Sequence, residues 1–138
     1  MKQKKTDTLE KRECNNWGPI PADATSLMEK VYTLRKKDLG DFTVEDLRIT
    51  IGQNLSLEIL IPRAIDQLRI DLFASGNFYE GDLLQNVLRA DPKYWKTHPA
   101  EKAELLDICT QQMQKLPEYY DSDSILRGIL EAYEGFKL

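Results

Sequence analysis

The fold is decided by the stretch from Phe42 to Leu88, which reads FTVEDLRITIGQNLSLEILIPRAIDQLRIDLFASGNFYEGDLLQNVL. Within it, apolar residues recur at spacings of three and four over about four helical turns. These residues are Leu57, Leu60, Ile61, Ala64, Ile65, Leu68 and Leu72. The spacing forms one apolar stripe along a helix, and a stripe of this kind has to be buried against other elements. We therefore predict a central helix at about 57–72 that the rest of the chain covers.

The residues just before this stripe also fit a second interpretation. Apolar residues alternate with period two through 49–61, and a hairpin that turns at Gly52–Asn54 would explain that pattern. We favour helices because the three-four spacing continues unbroken from Leu57 to Leu72. Pro62 lies within that spacing, where it should kink the helix or else mark its first turn.

Start and stop signals along the chain predict six or seven helices joined by short loops. Thr43 with Asp46 approximates a capping box, and Pro99 suits the first position of a later helix. Residues 1–16 are polar and aperiodic, so we expect a disordered polar tail there and a single helical domain over 17–138. The predicted fold is thus all-α, a compact single-domain bundle around the central helix.

Composition describes an ordinary globular protein. The chain has 138 residues, of which 41% are hydrophobic and 30% charged, and no apolar run approaches the roughly 18 residues of a membrane span. No secretory signal is recognisable at the N-terminus, and Cys14 and Cys109 lack metal-ligand spacing, so we expect free thiols in the cytoplasm. The net charge of −4 divides into +2 over residues 1–16 and −6 beyond them. An acidic domain is repelled by nucleic acid and attracted to basic partners.

Residues typical of catalysis are nearly absent. His98 is the single histidine, and no phosphate-binding glycine loop, paired metal ligands or nucleophile elbow occurs in the sequence. Glu80, Asp82 and Asp91 could cooperate as acid and base, although surface charge explains them more simply. We therefore predict no enzyme activity, cofactor, metal, small-molecule substrate, nucleic-acid binding or membrane association.

Two loops combine tyrosines with carboxylates, a composition that is typical of protein interfaces. One spans Phe78–Asp82 and the other Glu118–Asp123. The alternative is that the tyrosines pack on the domain and the carboxylates are only solvated. The residues that we predict to contact a partner are Tyr119, Tyr120, Asp121, Asp123, Glu80, Asp82 and Asp91.

Several motifs together resemble the immunity proteins of bacterial contact-dependent growth inhibition systems. They are LRKKDL (34–39), FTVEDLR (42–48), IGQN (51–54), LIPRAI (60–65) and GNFYEGDLL (76–84), with weaker matches at WG (17–18) and YW (94–95). The resemblance covers roughly Trp17 to Ile108. Asp38 and Glu80 stand where the family pattern has proline, and both differences affect only loops.

The resemblance implies a cytoplasmic protein without enzymatic activity. Such proteins bind the C-terminal toxin domain of a surface protein that a neighbouring cell delivers, in a one-to-one complex, and the toxins are often nucleases. An acidic domain suits that role because carboxylates can occupy sites made for phosphates. The shared motifs do not locate the contact residues, so those named above rest on composition alone.

Two other functions remain open from the sequence. One is an enzyme that uses a carboxylate pair or His98, and the other is a helical adaptor for a different basic partner.

Overall fold

The protein is all-α, as the helical periodicity predicts. The computed structural model describes residues 6–113 and 123–138, and in these ranges it has eight α-helices and no strand. An isolated bridge pairs Ser75 with Glu80. The α-helices are α1 (Leu9–Arg12), α2 (Ser26–Arg35), α3 (Val44–Gly52), α4 (Leu57–Ile70), α5 (Asp82–Leu88), α6 (Pro92–Thr97), α7 (Pro99–Gln112) and α8 (Asp123–Lys137), and a 3₁₀ turn spans Leu39–Asp41.

Helix α4 is the predicted central helix. It packs against α3, α5 and α7, and its apolar stripe is buried at Leu60, Ile61, Ala64, Ile65 and Leu68. Pro62 lies inside the helix on its exposed side, where water can satisfy the carbonyl that the missing N–H leaves free. The alternative in which Pro62 marks the first turn is wrong, because α4 already begins at Leu57.

Residues 49–61 are helical on both sides of a short turn, so the hairpin alternative is wrong. The capping box forms as predicted: Thr43 Oγ1 accepts the N–H of Asp46 at 3.1 Å, and Asp46 Oδ2 accepts the N–H of Thr43 at 3.0 Å. Between α3 and α4 the chain reverses through Asn54 and Ser56, whose φ angles are 55° and 53°. Because the chain reverses between two short amphipathic helices, their apolar residues together produce a period-two pattern in the sequence.

The N-terminal segment differs from the predicted disordered tail over residues 6–16. Helix α1 begins after Thr8, whose Oγ1 accepts the N–H of Lys11 at 3.2 Å. Leu9 is fully buried in the main hydrophobic core, and the N–H of Leu39 donates to the carbonyl of Asp7 at 2.7 Å. One leucine in a polar segment shows no periodicity, so no pattern in the sequence predicts this short helix.

Arg35 on α2 joins this segment to the bundle. Its side chain is buried, with Nη1 2.5 Å from Glu13 Oε1 and Nη2 donating to the carbonyl of Asn15 at 2.8 Å. The guanidinium carbon also lies 4.4 Å from the centre of the Trp17 ring. Trp17 meets Tyr32 edge-on at 5.1 Å, so this tryptophan packs on the domain.

Helices α7 and α8 also contribute to the core. Their buried residues are Leu105, Ile108, Cys109, Ile129 and Phe136. Helix α8 packs on α5, and it approaches closely at Gly128, where a Cβ would lie 2.9 Å from Gln85 Nε2. Among the described residues, we find no helix with the length and apolarity needed to cross a membrane.

Candidate protein-binding site

The connection from α4 into α5 carries the first of the two predicted aromatic-acidic surfaces. We call residues 71–82 the 71–82 loop. Leu72 and Phe73 fix its start in the core, and the bridge between Ser75 and Glu80 closes its tip. The loop has no basic residue and contains three acidic ones, Asp71, Glu80 and Asp82.

Asp82 organises this loop from the inside. It is the first residue of α5, with Gly81 rather than Asp82 at the N-cap. Its carboxylate accepts the N–H of Gly76 at 2.6 Å and that of Phe78 at 3.1 Å, and the residue is only 2% exposed. Asp82 therefore supports the loop backbone, and its contact with a partner stays a prediction.

A salt bridge between Glu45 and Arg48 on α3 also supports the 71–82 loop. Arg48 Nε and Nη2 lie 2.5 and 2.7 Å from the two carboxylate oxygens of Glu45, and Arg48 Nε is 3.8 Å from Asp82 Oδ2. Glu45 Oε1 also accepts the N–H of Asn77 at 2.9 Å. The hydrogen bond from Arg48, followed by that from Asn77, holds the pKa of Glu45 below its ordinary value. The carboxylate is therefore charged at neutral pH and ties the loop to α3.

Gly76 leaves no room for a side chain at this junction. A Cβ there would overlap Glu45 Oε1 and would lie 3.1 Å from Asp82 Oδ2 and 3.2 Å from Arg48 Cδ. The loop backbone can therefore approach α3 closely only because residue 76 is glycine.

Phe78 projects from the tip of this loop. Its side chain is 71% exposed, and the Arg48 guanidinium carbon lies 4.3 Å from its ring centre, over the ring face. The neighbouring Tyr79 is half-buried and donates its hydroxyl hydrogen to Gln85 Oε1. The loop thus presents the Phe78 ring outward and turns the Tyr79 ring toward α5.

The remaining predicted contact residues lie in different places. Glu80 is exposed on the 71–82 loop, and half-buried Asp91 caps α6 by accepting the N–H of Lys93 at 3.0 Å. Asp123 begins α8. Tyr119, Tyr120 and Asp121 lie outside the described residues. The structure therefore brings Glu80 and Asp82 into one loop and separates Asp91 from them by α5.

The side chains of His98 and Cys109, which could be reactive, are packed against neighbouring residues. The ring of His98 stacks on Tyr94 at 3.9 Å, and its Nδ1 lies 2.7 Å from the Tyr94 carbonyl. Cys109 is fully buried, and burial raises the pKa of its thiol to about 12. Over residues 6–113 and 123–138, no group of histidine, cysteine and carboxylate side chains could hold a metal ion.

Sequence reasoning missed the contacts that shape this site. The Glu45–Arg48 pair has the i,i+3 spacing of a helix surface and could have been found from that spacing. Its connection to Asn77 spans 32 positions of sequence, and no local signal predicts it.

Comparison with known proteins gives a family match. The model of a family described as CDI immunity proteins matches residues 11–105, which is more than half of the chain and includes the whole 71–82 loop. No curated protein and no solved structure matches.

Proposed function

The chain belongs to the family of CDI immunity proteins, and on that premise we propose that it binds and blocks the toxin domain of its cognate contact-dependent growth inhibition effector. CDI immunity proteins are inhibitors rather than enzymes, so the proposed role is binding without a reaction of its own. We propose a complex of one immunity chain with one toxin domain, formed in the bacterial cytoplasm.

The family match over residues 11–105 carries this proposal, and the charge distribution supports a nuclease as the target. Residues 17–138 have a net charge of −6. A nuclease needs a basic cleft for its substrate, and carboxylates can take the places of phosphates there. Complementary charge also accelerates association and disfavours wrong partners.

The proposed contact surface has two parts. Glu80 is an exposed carboxylate on the 71–82 loop, and Asp91 is half-exposed at the start of α6. The second part consists of residues chosen from their composition, Tyr119, Tyr120, Asp121 and Asp123. In that part we propose the tyrosines as apolar anchors and the carboxylates as charge contacts.

The direct experiment mixes the purified chain with the toxin domain encoded next to its gene. We expect a one-to-one complex by light scattering and an association rate constant that falls at least about tenfold between about 0.05 and 0.5 M salt. Toxin activity, measured as cleavage of nucleic acid, should disappear at equimolar inhibitor.

The variant pair Tyr120→Ala and Asp121→Ala tests the second part of the surface. Combined, the two changes should weaken binding while leaving the unfolding temperature unchanged. Intact affinity would place the interface elsewhere, with Glu80 and Asp91 tested next. If no complex forms at micromolar concentrations, the immunity proposal fails, and a helical adaptor for another basic partner replaces it.

A further inference from the structure

Phe78 is an aromatic residue whose side chain stays exposed to solvent in the folded protein. Its neighbours in the 71–82 loop show the usual behaviour, since Leu72 is fully buried and Phe73 is 3% exposed. Phe78 keeps 71% of its surface exposed, although the same loop reaches the core on both sides. Burial of an aromatic ring is strongly favourable. Because the Phe78 ring stays exposed, it gains little of that free energy on folding.

The position of Phe78 is nevertheless well defined. Its N–H donates to Asp82 Oδ2 at 3.1 Å, and the preceding N–H, that of Asn77, donates to Glu45 Oε1 at 2.9 Å. Arg48 covers one face of the ring at 4.3 Å, and Arg48 is itself held by two hydrogen bonds to Glu45. The ring is thus fixed before any partner arrives, which lowers the entropy cost of binding through it.

We propose that Phe78 is the apolar anchor by which this chain enters a pocket on its cognate toxin domain, with Glu80 as the adjoining charge contact. The inference rests on the proposed function, because it takes the toxin domain as the partner. Rigid aromatic side chains at the centre of an interface commonly contribute the largest share of binding energy.

The charges around Phe78 fit a basic partner. Arg48 is paired with Glu45 at 2.5 Å and lies 3.8 Å from Asp82, so two carboxylates neutralise the one cation at the ring. Glu80 then leaves an exposed negative charge two positions after Phe78. The pocket that this arrangement suits is apolar at its base and basic at its rim.

The anchor and the charge contact should act on different rate constants. An apolar anchor forms its contacts after docking, so its loss increases the dissociation rate, whereas a rim charge mainly changes the association rate and its salt dependence. Phe78→Ala should therefore raise the dissociation rate constant about thirtyfold, as expected for an interface hot spot. Glu80→Gln should lower the association rate and weaken its dependence on salt.

The experiment measures both rate constants of the complex with the cognate toxin domain by surface plasmon resonance. Ile70→Ala is the matched control, because Ile70 is 82% exposed and Phe78 is 71% exposed, and it should leave both rates unchanged. Phe78→Leu, which keeps an apolar side chain, should retain most of the affinity. Unfolding temperatures of all variants show whether any effect on binding reflects loss of structure.

The failure of this inference differs from the failure of the proposed function. Suppose that the unaltered chain binds the toxin domain and that the Phe78→Ala variant dissociates from it as slowly as the unaltered chain does. Phe78 is then not the anchor, while the immunity role stands. Equal effects of Phe78→Ala and Ile70→Ala would also overturn the inference. If the free chain self-associates and Phe78→Ala makes it monomeric, the occupant of this surface is a second copy rather than the toxin domain. Absence of any toxin complex contradicts the proposed function itself.

Discussion

At the scale of single residues, Gly76 is important because it has no side chain. It lies where the 71–82 loop crosses α3, and a Cβ would overlap Glu45 Oε1. That carboxylate is not free to move aside, because it accepts hydrogen bonds from Arg48 and from the N–H of Asn77. A methyl group at residue 76 must therefore displace the loop or break the salt bridge.

We predict that Gly76→Ala lowers the free energy of unfolding by about 1–3 kcal/mol, the usual cost of inserting a carbon into a packed site. Urea denaturation measures this change. Gly135→Ala is the control: a Cβ at Gly135 meets nothing within 4 Å in helix α8, so the helix propensity of alanine should leave stability unchanged or slightly raised. Equal stability of the two variants would show that the loop yields easily at Gly76.

At the scale of elements, sequence signals were most informative where they are local. The three-four spacing predicted α4, and the Thr43–Asp46 pattern predicted the start of α3. Helix α1 was missed because Leu9 is its one buried residue, and the contact from Arg35 to Glu13, just after the helix, spans 22 positions. Local patterns predict helices, whereas contacts between distant segments decide whether a short polar helix is held.

The cap of α3 allows a direct test at this scale. Thr43→Ala removes the oxygen that accepts the N–H of Asp46 and should cost about 1 kcal/mol of unfolding free energy. Thr33→Ala makes the same chemical change at an exposed interior position of α2, where alanine should be neutral or stabilising. Equilibrium unfolding of both variants gives the comparison, and similar losses in both would contradict a role for the capping box.

Helix α1 gives a second element-scale prediction. Leu9→Ala should lower the free energy of unfolding by about 2–5 kcal/mol, because Leu9 is fully buried in the main core. Glu10→Ala changes the adjacent, half-buried residue and should have an effect below about 0.5 kcal/mol. A small loss on Leu9→Ala would mean that residues 6–16 contribute little to the fold, as their polarity alone suggests.

For the whole molecule, more of the buried core than of the candidate site could be predicted from the sequence. Core positions repeat along helices, so Leu60, Ile65 and Leu68 are all found buried as their spacing predicts. The site depends on single contacts between α3 and the 71–82 loop, and such contacts leave no period in the sequence. Phe78 shows this limit, because nothing in its local sequence distinguishes an outward ring from the buried ring of Phe73.

Acid should destabilise the molecule partly through Glu45. The pKa of Glu45 is held below its ordinary value of 4.5, chiefly by Arg48, so its contribution to stability is present above that value and is lost as the pH falls through the lower folded pKa. We expect Glu45→Gln to be less stable than the unaltered chain at neutral pH, and the two stabilities to converge between about pH 5 and pH 3. Urea midpoints across that range measure the convergence.

A matched change elsewhere separates this effect from general acid unfolding. Glu134→Gln alters a carboxylate in the exposed pair with Lys137, and surface pairs of this kind contribute little to stability. Its stability should follow that of the unaltered chain at every pH. A constant difference between Glu45→Gln and the unaltered chain would show that the Arg48 contact does not depend on the charge of Glu45.

The packing of α8 on α5 has a consequence for synthesis of the chain. Helix α5 ends at Leu88, and Gly128, the α8 residue that approaches Gln85 of α5, is added about 40 residues later, which corresponds to roughly 2–8 s of translation. During that interval the buried leucines of α5 have no α8 to cover them, and the nascent chain presents an apolar surface to chaperones and proteases. Substitutions that slow the docking of α8 should therefore reduce the amount of protein that accumulates in cells more than they reduce the equilibrium stability of the purified chain.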